Sequence, residues 1–307
     1  MDDRAKTCVT AAAGEGHEPA PWAEDGLQRL AVICRDFRLD PLQPQIDALA
    51  DMLKDGGVVD VAVVGRFKAG KSSFLNSLIG ADVMPVAVLP LTSVVTRLRY
   101  GPRERAVVRS LDGAPREIPL SALAEYVTES GNPRNARQVG IVDVETPALR
   151  HYRGVRFVDT PGLGSVFAHN TRTSMEWLPR VGAALLAVSV DQPLSEHDVT
   201  LLRELTRHTP EIAVLLTKAD LVTTKELDQV SAFIARQVGA VLDPPPPILP
   251  WSARPGHDAL RQAAQAYLLQ RVAARHEERS EEILRYKLRA LLSGCRRYLD
   301  MARSSAL

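Results

Sequence analysis

Cysteine is scarce in this chain, with Cys8, Cys34 and Cys295 the only three among 307 residues. No two of them form a C-x-x-C pair. That excludes a disulfide scaffold and a cysteine zinc site, and it fits a reducing cytosol. An excess of one charge is missing too: 38 Lys and Arg face 37 Asp and Glu, for a net charge of +1. A nucleic-acid binder shows a basic excess or stripe, so no nucleic-acid partner is expected. Long apolar runs are also absent. The most apolar stretch, VGAALLAVSV at 181–190, falls well short of the ~20 residues that span a bilayer. The start, Met1-Asp2-Asp3-Arg4, is acidic and no apolar run follows it, which argues against a signal peptide. A cytoplasmic protein is expected. What remains is ordinary for a globular chain, at 45% hydrophobic and 24% charged. At roughly 150 residues per domain the length suggests about two units.

Residues 1–21 are small, polar and Pro/Gly-containing, a composition that predicts disorder. Helical spacing then begins. Leu27, Leu30, Cys34 and Phe37 step 3-4-3, Ile46, Leu49 and Leu53 step 3-4, and Gly56-Gly57 ends the region. From residue 58 short apolar runs alternate with amphipathic segments. The runs lie at 58–64, 94–100 with 106–109, 155–158, 183–190, 212–216 and 248–251. Helices are predicted at 71–79, 120–129, 196–208 and 225–241. This alternation predicts a doubly wound α/β sheet, mostly parallel, with helices on both faces. The prolines at 244–247 read as a stiff connector to the last strand, with a polyproline ligand as the alternative. After Pro255 the helical period returns: Leu284, Leu288, Leu291, Cys295 and Tyr298 step 4-3-4-3. Helices from both chain ends are expected to pack together beside the α/β domain.

Gly65-Arg66-Phe67-Lys68-Ala69-Gly70-Lys71-Ser72 matches G-x-x-x-x-G-K-[ST] in full. The run VDVAVV leads into it, and Ser73 continues into SSFLNSLIG, which reads as a helix. Loop N–H groups at a helix N-terminus cradle phosphates. Lys71 is expected to bridge the terminal phosphates and the Ser72 hydroxyl to ligate Mg²⁺. Asp159-Thr160-Pro161-Gly162 follows the run VRFV. An Asp at a strand's C-terminal end suits the Mg²⁺ carboxylate, and a glycine lets the backbone N–H at Gly162 approach the terminal phosphate.

Thr217-Lys218-Ala219-Asp220 follows IAVLL and matches [NT]-K-x-D. A carboxylate at Asp220 can accept from guanine N1–H and its exocyclic amine; adenine has no such donor pair. The stem of Lys218 would cover the base. Ser252-Ala253-Arg254, after ILPW, resembles the S-A-K element whose backbone N–H meets guanine O6. Four motifs in this order point to GTP as substrate and GDP as product. A conventional small GTPase places Gln after DTPG to orient water, whereas here Leu163 stands there. Another group must help, and Lys68 is the candidate charge.

The stretches GRFKAGKSSFLNSLIG, LPLTSVVTRLRYG, VRFVDTPGLGSVFAHNT, DQPLSEHDVTLLREL and LLTKAD resemble the dynamin superfamily, most of all its bacterial dynamin-like proteins. The likeness covers about residues 58–254. It implies that Thr92 ligates Mg²⁺ and positions the attacking water, with Thr96 an alternative one turn later. Lys68 stands where relatives carry a serine that holds a monovalent cation, or an arginine acting in cis. A lysine departs from both and is expected to supply the charge itself. The family pairs two GTPase domains across their nucleotide sites, which stimulates hydrolysis and implies a homodimer.

The flanking helices resemble the family's neck, giving 22–56 as N-terminal neck helices, 57–254 as the GTPase domain and 255–307 as the C-terminal neck helix. Relatives continue into a stalk with a membrane-binding tip. The resemblance thus implies a shortened chain or a short form needing a partner, acting at the inner face of a membrane, on that membrane or with a second dynamin-like chain. The competing expectation is a regulatory GTP switch that binds a protein partner and hardly turns over. A ribosome-assembly GTPase would bring a basic RNA-binding appendage, which the charge balance disfavours.

Overall fold

The computed structural model describes residues 21–86, 94–111, 113–160, 177–192 and 194–305. Val59–Gly65 (β1) is buried at every position, as a strand covered on both faces must be. It lies between Val155–Asp159 (β6) and Ala183–Ser189 (β7) and runs parallel to both. Glu211–Thr217 (β8) and Ile248–Pro250 (β9) extend the parallel side. On the other side lie Val95–Tyr100 (β2), Arg105–Ser110 (β3), Arg116–Ile118 (β4) and Val139–Thr146 (β5). Among the described residues the order is β4-β3-β5-β2-β6-β1-β7-β8-β9. β2 runs antiparallel to β6 and parallel to β5, and β3 is antiparallel to both its neighbours.

Helices cover both faces. Lys71–Ile79 (α3) and Asp258–Leu268 (α7) pack with Val61, Val63 and Phe157 in one core. Glu196–Leu205 (α5) and Thr224–Gly239 (α6) pack with Ala62, Val64 and Val158 in the other. Capping boxes at Ser195/Asp198 and Thr223/Glu226 set where α5 and α6 begin.

The chain ends supply the bundle. Pro21–Asp36 (α1), Gln43–Lys54 (α2) and His276–Ser305 (α8) share an apolar seam that includes Leu27, Leu30, Leu49, Leu284 and Leu291. Each leucine so buried contributes about 1.5–3 kcal/mol. Cys34 and Cys295 meet inside it with sulfurs 3.4 Å apart. Burial, with Cys295 adding to it, pushes the Cys34 thiol up to about 12. Gly56 and Gly57 close α2 with φ of +66° and +77°. At Gly57 a side chain would also collide with Ser280 of α8.

Three expectations change. Phe37 leaves its stripe and is 59% exposed, because α1 stops at Asp36 and Arg38 turns the chain at φ +53°. The helix expected over 120–129 reduces to a 3₁₀ turn and the single turn Ala124–Val127 (α4). Pro21, expected in a disordered start, opens α1; residues 1–20 lie outside the described ones. Two strands were not expected, β4 and β5. In β5, Val142 and Val144 face the core while Asp143 and Glu145 point the other way. Those two carboxylates are buried and answered by Arg97, Arg109, Arg99 and Arg105 from the adjoining strands at 2.5–2.7 Å. Burial alone would raise them, yet the guanidiniums hold both below the ordinary carboxylate range.

Candidate functional site at the C-terminal strand ends

β1 runs directly into the phosphate loop, and α3 starts at Lys71. Gly65 has φ +141° and a Cβ there would strike the Ala187 carbonyl; Gly70 has φ +84°. Only glycine fits both conditions at Gly65. The Lys71 ammonium donates to the carbonyls of Gly65 and Arg66 at 3.1 and 3.0 Å. Burial lowers its pKa, with Asp159 pulling the other way. Ser72 Oγ donates to Asp159 Oδ2 at 3.0 Å. Burial pushes Asp159 up to about 6, against the pull of Lys71 and Ser72. Asp159 Oδ1 has no hydrogen-bond partner among the described residues, and neither does Thr96 Oγ1, although both are buried. Thr96 is also the register partner of Asp159 across β2 and β6.

Phosphate loop and base motif are tied together. Thr217 Oγ1, at the end of β8, donates to Ala69 O at 2.9 Å and lies 3.3 Å from Val188 O. Lys218 takes the left-handed conformation at φ +56°, and its ammonium reaches Asp191 at 3.1 and 3.3 Å. Asp220 is held by Ser252 Oγ at 2.5 Å and by Arg254 Nε at 3.1 Å. Arg254 N donates to Ser252 Oγ at 3.0 Å, and Arg261 of α7 donates to the Arg254 carbonyl at 2.6 Å. Ala253 lies between these two anchors. Trp251 packs edge-on against Phe74 of α3, 5.5 Å between centroids, joining the base loop to the phosphate-loop helix.

These observations bring Lys71, Ser72 and Asp159 into one cluster and Lys218, Asp220, Ser252 and Arg254 into another, at neighbouring strand ends. Phe67 is half-buried in the loop. Lys68 is exposed at φ +65° with its ammonium 5.6 Å from the Phe67 ring; among the described residues it makes no ion pair. Ser73 is half-buried in the first turn of α3. Thr92 and Gly162 lie outside the described residues.

Residues 61–219, just over half the chain, match the Dynamin family. The chain belongs to the dynamin family of GTPases. Its relatives include the bacterial dynamin-like protein of Nostoc punctiforme, 32% identical over 147 residues, which are 45% of this chain and 21% of that protein. Dynamin-like protein 2 of Campylobacter jejuni is 26% identical over 208 residues, 66% of this chain and 33% of the relative. An uncharacterized Caldicellulosiruptor protein is 36% identical over 173 residues, 56% of this chain and 43% of the relative. The dynamin-family chain thus spans less than half the length of these relatives. A solved structure of an oligomerised bacterial dynamin pair, described as serving long-range sensing and tethering of membranes, shares its fold. The TM-score is 0.57 at 19% identity, covering 92% of this chain and 48% of that one.

Three residues with no motif of their own touch the side chains or backbone of this dynamin-family cluster: Asp191 beside Lys218, Asp198 beside Arg66, and Arg261 on the Arg254 carbonyl. Asp191 and Asp198 sit in the quoted stretch DQPLSEHD without a role being seen for them, and Arg261 carried no signal. Their partners come from segments far away in the chain. No helix among the described residues is long and apolar enough to cross a membrane.

Proposed function

We propose that this chain binds GTP with Mg²⁺ and hydrolyses it to GDP and phosphate, and that two copies pair through their GTPase domains to do so. In this reading residues 57–254 form the GTPase domain, with 22–56 and 255–307 as its neck. What supports it most is one observation: the buried Lys71 ammonium and the buried Asp159 carboxylate, which accepts from the Ser72 hydroxyl, stand at a full phosphate loop.

Lys71 would leave the Gly65 and Arg66 carbonyls for the β/γ-phosphates, helped by N–H groups of Arg66 to Ser73 and by the α3 N-terminus. Ser72 and Asp159 fit Mg²⁺, since both offer hard oxygen and Asp159 Oδ1 is buried without a hydrogen-bond partner among the described residues. Among the described residues no cluster of three or more acidic, His or Cys side chains could hold a metal, so the ion would rely on substrate phosphates and water for its other ligands. Bound there, Mg²⁺ supplies neutralisation of the developing phosphate charge. Thr92 is assigned to that ion and to the attacking water, and the Gly162 N–H to the terminal phosphate. Thr96 is the weaker alternative, because its strand position on β2 uses its backbone in the ladder. Asp220 reads guanine, Lys218 covers the base, and the 252–254 backbone meets its O6 edge.

Leu163 offers no side chain to orient water, so hydrolysis needs help from a second domain. Specific activity is therefore expected to rise several-fold across a hundredfold increase in protein concentration. A flat, low rate with intact GTP binding would instead mean that a partner is missing or that the chain is a regulatory switch. Lys68 is assigned as a charge placed over the phosphates. Turnover is then expected to be equal in sodium, potassium and choline buffers, and a strict need for potassium or sodium would refute that role. Membrane remodelling at the cytoplasmic face, alone or with a second dynamin-like chain, is the biological setting this reading implies. It is supported by the tethering dynamin pair that shares the fold.

A further inference from the structure

The stretch DQPLSEHD has no part in the chemistry above, yet it touches both halves of the site. From the phosphate loop, Arg66 places Nε 3.2 Å from Asp198 Oδ2 and donates a terminal N–H to Gln192 O at 2.9 Å. From the base motif, the Lys218 ammonium lies 3.1 and 3.3 Å from the two Asp191 oxygens. Both acids are themselves held. The Ser189 hydroxyl donates to Asp191 and, with Lys218, keeps it below the usual carboxylate range although partial burial works against this. Asp198 is 1% exposed and accepts from the Ser195 N–H and hydroxyl at 2.9 and 2.7 Å in the α5 cap.

We infer that Asp191 and Asp198 are positioning residues for the nucleotide: they anchor Lys218 to the end of β7 and Arg66 to the first turn of α5, and so set the separation of the base and phosphate subsites. The inference rests on the GTP reading. A nucleotide must engage both subsites at once, and binding energies from its two ends add only if the protein holds those subsites at the right spacing. The anchored lysine matters most. Its backbone is in the left-handed region, which an L-residue adopts at a cost, and its four-carbon stem would otherwise have to be ordered when the base arrives. Asp191 orders it in advance. Folding gains little from this contact, because both partners are over a third exposed, at 34% and 41%, and such pairs are worth little to stability.

The test compares Asp191→Ala, Asp191→Asn and Asp191→Glu with the wild-type chain, using GDP and, separately, inorganic pyrophosphate. Asp191→Ala and Asp191→Asn are expected to weaken GDP binding roughly three- to tenfold. Pyrophosphate affinity and Tm should stay at the wild-type value. Asp191→Glu should recover most of the loss, since it keeps the charge. Replacing Asp198 would remove the α5 cap, so its contact is tested from the other side. Arg66→Lys, which cannot make the forked contact, should weaken GDP and pyrophosphate together. Wild-type GDP affinity in Asp191→Ala, or equal loss of GDP and pyrophosphate in that variant, overturns the role of Asp191, and wild-type affinity for both ligands in Arg66→Lys overturns that of Asp198. Asp220→Asn separates the two layers. If it too leaves GDP affinity unchanged, the guanine reading fails, whereas if it weakens GDP and Asp191→Ala does not, only the positioning role fails.

Discussion

Lys71→Ala is expected to weaken GTP and GDP binding by at least about 100-fold and to bring hydrolysis down to background. The side chain is 8% exposed and its ammonium already sits over the loop, bonded to Gly65 O and Arg66 O. In that position burial lowers the pKa of the amine, with Asp159 opposing, and an anion brought against it favours the charged form. A polyphosphate supplies one, and charge-assisted contacts are roughly twice as strong as neutral ones. Alanine removes the only buried cation in the phosphate loop and leaves the N–H groups of the α3 N-terminus to act alone. Fold loss does not confuse the result. The substitution relieves the desolvation of a buried charge while leaving two carbonyls without their donor, so the net change in stability is small. Calorimetric titration of GDP with a turnover assay decides it. Hydrolysis at the wild-type rate would mean that Gly65 to Ser72 is a glycine turn before a helix and nothing more.

How much of this could be read from the chain alone depended on whether the signal was contiguous. The phosphate loop, the parallel strands and the α8 seam are each written in one unbroken stretch, so periodicity and motif spacing sufficed to place them. β5 was not, because its inward Val142 and Val144 alternate with Asp143 and Glu145. Those acids look like a polar loop until arginines from β2 and β3 come to lie beside them. Phe37 shows the opposite failure: the heptad spacing continues through it, but the helix does not. The site divides the same way. Lys71 and Asp220 announce themselves by motif, whereas Asp191 acquires a partner only when β7 and β8 align side by side and bring Lys218 across.

Stability between pH 7 and pH 9 is expected to rise in the wild-type chain by about 2 kcal/mol relative to Lys287→Met. Lys287, on α8, is 6% exposed, and its amine donates to Pro179 O at 2.6 Å and to His208 O at 3.0 Å. Burial pushes it down to about 7 from an ordinary value of 10.5, with Asp60 of β1 opposing. Between those two values the unfolded chain keeps a proton that the folded chain has released. Stability therefore grows as pH rises through that window and is lost as pH falls through about 7. The slope can reach about 1.4 kcal/mol per pH unit. A neutral amine still has two N–H groups, which match the two carbonyls, so deprotonation costs no hydrogen bond. His208, facing Lys287 with Glu204 and Arg207 nearby, is itself pushed down by burial and by Lys287. Its proton exchange falls below 6.5, outside the window, as does that of Asp159 at about 6. Methionine keeps the apolar stem and removes the charge, but strands both carbonyls at a cost of about 1–3 kcal/mol. The two stability curves should thus approach one another near pH 7 and separate above it, as read by chemical denaturation at each pH. Curves that stay parallel would show that the amine holds its proton in the folded chain, which requires a counter-charge closer than Asp60. The same contact joins α8 to the Leu178–Arg180 turn, where Arg180 also reaches Asp51 of α2 at 3.2 Å. Both α2 and α8 therefore grip the α/β domain at one turn, so the pH dependence of Lys287 reads the strength of that grip.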